Sequence, residues 1–176
     1  MVAVAACSSG TASSPSPGTT QQTVPTTSAA PSTSAASPAD AAKQQAVTAY
    51  VGMWDDFVAA AATSDWQSPK LGQYATGLAL STLSRGLYAD HYNGLVSKGS
   101  PTHNVTVTSV DPASDPTKVM VTDCSDSTHA LKYRADNGQP ANDGPGGRRQ
   151  INATVQKQAD ASWKVADFGV QAVGTC

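Results

Sequence analysis

Residues 80–108 read LSTLSRGLYADHYNGLVSKGSPTHNVTVT, and the hydrophobic period changes inside them. Leu80, Leu83 and Leu87 recur at steps of three and four, the spacing of one helix face. Asn93-Gly94 then supplies a left-handed stop. Beyond it Val105 and Val107 alternate with Thr106 and Thr108, the period of a half-buried strand. Helix gives way to strand here, and everything on either side keeps to that order.

Toward the N-terminus the pattern stays helical. Ser37-Pro38-Ala39-Asp40 is a strong helix start: Ser37 can cap, Pro38 suits the first helical position, and Asp40 sits where a capping-box acid belongs. Val47, Tyr50, Val51, Trp54, Phe57, Val58 and Ala61 then form one apolar stripe, with Asp55 and Asp56 off it. The stripe predicts a helix ending near Thr63-Ser64. Ser68-Pro69-Lys70 repeats the start signature and predicts a short second helix before the Leu80 helix.

Toward the C-terminus the period stays at two. Val119 and Val121 alternate with Met120 and Thr122; Ile151, Ala153 and Val155 alternate with Asn152, Thr154 and Gln156. His129, Leu131 and Tyr133 share a parity, as do Trp163, Val165 and Asp167. Asp111-Pro112, Asn137-Gly138, residues 143–147 and residues 159–161 read as turns. Helices followed by five or six antiparallel strands make an α+β layout, with N-terminal helices packed on one face of a curved, mainly antiparallel sheet.

Composition divides the chain. Of the 32 positions 8–39, 27 are Ser, Thr, Ala or Pro, with no charge and no aromatic ring. Such a stretch cannot bury enough apolar surface to offset chain entropy, so it reads as a disordered tether. The remaining residues 40–176 are enough for one domain with a real core. A net charge of -2 argues against the broad basic surface of a nucleic-acid-binding protein. No apolar run is long enough for a membrane-spanning helix.

Val4-Ala5-Ala6-Cys7 resembles a bacterial lipobox, in which an aliphatic and two small residues precede the cysteine. That resemblance implies a diacylglycerol on Cys7 and cleavage just before it. Residues 1–7 then read as a truncated signal peptide, and residues 8–39 as the tether to a membrane anchor on the outer, extracytoplasmic face. With Cys7 lipidated, Cys124 and Cys176 remain, and outside the cytoplasm these two are expected to pair.

The helix–short helix–helix order followed by a strand meander resembles the nuclear transport factor 2-like cone, also called SnoaL-like or cystatin-like. Segments such as Ser68-Pro69-Lys70-Leu71, Thr122-Asp123-Cys124, Pro145-Gly146-Gly147-Arg148-Arg149 and Val173-Gly174-Thr175-Cys176 resemble small secreted lipoproteins of high-GC Gram-positive bacteria. The resemblance covers about residues 45–176 and leaves the activity open.

Candidate chemistry centres on strand faces. An acid on an apolar strand face is what a cone pocket would use as a base, since desolvation tunes its pKa. Parity nominates His129 beside Leu131 and Tyr133, Asp167 beside Trp163 and Val165, and Asp123 beside Val119 and Val121. Tyr133 and Trp54 are further pocket candidates. His103 falls in a loop, and Arg148-Arg149 read as a solvated hairpin end. Without Cys-x-x-Cys or closely spaced histidines no metal site is expected, and no motif calls for a cofactor. The sequence therefore reads as a lipid-anchored, non-catalytic envelope domain binding a small apolar ligand or a partner. The alternatives are an acid–base enzyme of the ketosteroid-isomerase type and a homodimeric scaffold paired through its sheet.

Overall fold

The computed structural model describes residues 36–141, 144 and 146–176, so the lipobox and nearly all of the tether lie outside the described residues. Helix α1 spans Pro38–Ala61, α2 Leu71–Tyr74 and α3 Gly77–Tyr92. Six strands follow: β1 Leu95–Lys98, β2 Val105–Asp111, β3 Lys118–Asp126, β4 Leu131–Arg134, β5 Arg148–Lys157 and β6 Trp163–Val170. The layout is α+β, with the helices lying over antiparallel strands.

Local chemistry sets the helix ends. The Ser37 hydroxyl accepts from the Asp40 amide at 3.1 Å and donates to the Asp40 carboxylate at 2.7 Å, with Pro38 in the first turn. Asn93 closes α3, and Gly94 follows at φ 65°, which an L side chain adopts only with strain.

Four strands pair antiparallel in the order β2-β3-β5-β6, and β1 pairs with β4 in a separate ribbon. The single meander expected from the sequence is thus two sheets. Strand β1 has only four residues, three half-buried and Lys98 exposed, too few for parity to show. Helices α1 and α3 both pack on β6, and α1 reaches β2, β3 and β5 as well.

The core face of α1 is rotated from the expected stripe. Ala42, Ala46, Ala49, Tyr50, Met53 and Trp54 are buried, whereas Val47, Val51 and Val58 lie on its flank. Alanines let the helix axis approach the sheet, and the larger side chains fill the space beyond them. Opposite stand Val119 and Val121 of β3, Ile151, Ala153 and Val155 of β5, and Trp163 and Val165 of β6.

Two irregularities reset parity. The β2–β3 register shifts between Val107 and Ser109, and the β5–β6 register shifts at Ala166, since Val155 opposes Val165 while Thr154 opposes Asp167. A bulge of one residue exchanges the faces beyond it.

Candidate ligand cavity and the buried Asp123 network

The inner face of the sheet is apolar at one end and polar at the other. Along β3 it runs Val119, Val121, Asp123, Ser125, and along β5 Val155, Ala153, Ile151, Arg149. The register sets Asp123 opposite Ile151 and Ser125 opposite Arg149.

Asp123 has no exposed surface, and three donors converge on its carboxylate. The Tyr50 hydroxyl donates at 3.0 Å, His103 Nδ1 lies at 2.6 Å, and the Asn104 amide donates at 2.7 Å. A buried carboxylate without partners would be very costly, and these groups compensate it. Burial, then the Asp123 charge, push the Tyr50 phenol far above its ordinary pKa, so it stays protonated and donates. The Trp54 indole ring stacks on His103 with centroids 5.9 Å apart, and Phe168 meets its edge at 5.4 Å.

A cavity of about 430 Å³ opens over the polar end. Trp54, Phe57 and Val58 of α1, Leu131 of β4, Ile151 of β5 and Val170 of β6 give it apolar walls. Ser125, Ser127, Arg149 and the Asp90–Lys132 pair add polar groups. Lys132 Nζ lies 2.7 Å from the Asp90 carboxylate, tying β4 to the last turn of α3. At the rim a side chain on Gly146 would collide with the Ser127 carbonyl, so this loop needs glycine for its close approach. Trp54 belongs to both arrangements, whereas neither Asp123 nor His103 lines the cavity.

The sequence candidates separate accordingly. Asp123 faces inward and Trp54 lines the cavity. Asp167 is exposed: the bulge at Ala166 turns it outward and brings Phe168 against the core instead. His129 is exposed in the turn before β4 rather than within the strand, because Asp126 organises that turn. The Asp126 carboxylate takes the Thr128 amide at 2.9 Å and hydroxyl at 2.6 Å, which hold its pKa below the usual carboxylate range. Tyr133 is half-buried, with Lys98 Nζ 4.6 Å from its ring centroid, and does not line the cavity. Cys124 and Cys176 are joined in a disulfide with Cα atoms 5.8 Å apart, which fits an oxidising compartment. Cys7 lies outside the described residues.

Sequence reading passed over His103 and Arg149, though parity held both. His103 precedes Val105 and Val107 at the same parity, and Arg149 precedes Ile151, Ala153 and Val155. Because His129 and Asp167 are exposed and their side chains form no hydrogen bond or ion pair among the described residues, His129→Ala and Asp167→Ala should each change unfolding free energy by no more than about 0.5 kcal/mol, read from urea melts.

Neither a protein-family model nor a curated protein sequence matches the chain. Among solved structures it is similar to the intermembrane-space region of the chloroplast protein ARC6, at 18% identity and TM-score 0.46, over 76% of this chain and 96% of that one. It is also similar to a ketosteroid isomerase-like protein from Erwinia carotovora atroseptica, at 12% identity and TM-score 0.46, over 71% and 91% of the two chains. A Catenulispora acidiphila protein follows at 15% identity and TM-score 0.35, over 74% and 87%. Among the described residues no helix is long and apolar enough to cross a membrane.

Proposed function

We propose that this chain is a non-catalytic binding domain whose cavity takes a small apolar ligand, held at the outer face of a cell membrane by a lipid on Cys7. The observation that carries the binding reading is the cavity itself. At about 430 Å³, with mostly hydrophobic walls and a few polar groups, it has the size and character of a small-molecule site. The anchor rests on the lipobox-like Val4-Ala5-Ala6-Cys7 and the tether composition that follows it.

The acid–base alternative has one observation in its favour, the His103–Asp123 pair at 2.6 Å. A base must reach the proton it abstracts, directly or through one water. Here the carboxylate is taken up by three donors and stands outside the cavity lining, so the pair serves the fold.

N-phenyl-1-naphthylamine, a neutral apolar fluorophore, tests the binding reading. Saturable binding with blue-shifted emission is expected, at one site per chain, and Val58→Trp should abolish it by filling the cavity. Absence of saturable binding, or binding that Val58→Trp leaves intact, overturns the reading.

A further inference from the structure

Arg148 and Arg149 are neighbours in sequence with opposite surroundings. Arg148 is exposed on the outer face of β5, with Nη2 3.2 Å from the Cys124 sulfur. Arg149 is on the inner face, continuing the row of Ile151, Ala153 and Val155. Its Nε is buried and has no hydrogen-bond partner, and among the described residues no carboxylate forms an ion pair with it. A guanidinium cannot shed its proton to escape such a position. Leaving the buried Nε of this half-buried residue without an acceptor is costly, and its place in the cavity lining lets an acceptor from outside the chain supply one.

The charge of the lining gives the valence of that acceptor. Among the described residues lining the cavity, the charged ones are Asp90, Lys132 and Arg149, and Asp90 already neutralises Lys132. Among these, one positive charge is left over. A monoanion balances it, whereas a doubly charged phosphate ester would bring an uncompensated charge against Trp54, Phe57 and Ile151. The planar guanidinium fork matches a carboxylate in geometry as well. The Ser125 side chain lies directly across the strand pair from Arg149 and adds a hydroxyl on the same face.

We propose that the cavity binds a small apolar monocarboxylic acid, with the carboxylate on Arg149 and the hydrocarbon against Trp54, Phe57 and Ile151. This rests on the binding reading above and adds the ligand class. The test is displacement of N-phenyl-1-naphthylamine by octanoate and by 1-octanol, which share a chain and differ in the head group. Octanoate should compete about tenfold or more better than octanol, the scale of a charge-assisted hydrogen bond. Arg149→Met should erase that preference while still binding the fluorophore and octanol. Arg149→Lys, which keeps the charge and loses the fork, should retain part of it and serves if the methionine variant does not fold. Equal competition by acid and alcohol in the parent, or an undiminished acid preference in either variant, overturns the carboxylate inference and leaves the apolar cavity standing. A parent that binds no fluorophore overturns the binding reading, and this inference falls with it.

Discussion

Asp123→Ala is expected to cost about 4 kcal/mol or more of folding stability. The carboxylate is completely buried and is the shared acceptor of Tyr50, His103 and Asn104. Its removal strands three donors from β3's neighbours at once. Each unsatisfied buried group costs about 1–3 kcal/mol, and three are left at once. Set against a typical stability of about 5–15 kcal/mol, the variant should be largely unfolded at room temperature or melt far below the parent. Tyr50→Phe removes one donor and leaves two, so about 1 kcal/mol is expected there. The comparison also decides between the two functional readings. A group kept for chemistry is commonly held at some expense to the fold, so its removal leaves stability unchanged or raised. If Asp123→Ala melts at or above the parent temperature, the acid–base reading replaces the binding one. Circular dichroism during thermal and urea unfolding gives the answer.

Where sequence was legible, the signal was local. Ser37, Pro38 and Asp40 mark the start of α1 because capping involves atoms three residues apart. Alternation placed the inner faces of β3 and β5 because both strands run without interruption in their shared register. Legibility failed where one residue shifts a register. The bulge at Ala166 exchanges Asp167 for Phe168, and nothing in Trp163-Lys164-Val165-Ala166-Asp167 marks it. Asp123, Asp126 and His129 recur every three residues, and the fold disperses them: Asp123 goes inward, Asp126 caps its turn and His129 meets solvent. The partners of Asp123 are tertiary. Tyr50 lies 73 residues away and His103 20, so no short-range pattern links them. Arg149 shows the reverse error, since a Gly-rich approach suggested solvent while strand parity already placed its side chain with Ile151.

Reducing the Cys124–Cys176 bond should destabilise the domain by about 4 kcal/mol while leaving its native structure in place. The bond joins residues 52 apart in sequence, and the chain-entropy model converts a loop of that length to roughly that figure. The effect belongs mainly to the unfolded chain, which gains the freedom of an open loop. In the folded chain the tail has other attachments. The Gln171 amide donates to the Gln150 carbonyl at 2.9 Å, the Gly174 amide to the Arg148 carbonyl at 2.7 Å, and the Gln150 amide to the Thr175 hydroxyl at 2.9 Å. These seat residues 171–176 beside the first residues of β5 without help from sulfur. The expected result is therefore a melting temperature lower by on the order of 10 °C with dithiothreitol, or in Cys124→Ser/Cys176→Ser, with fluorophore binding retained at 25 °C. An unchanged melting temperature would remove the covalent tie from the list of stabilising features. Loss of fluorophore binding in the reduced, still-folded protein would place the tie's effect in the native state, where Val170 at the end of β6 connects the tail to the cavity wall.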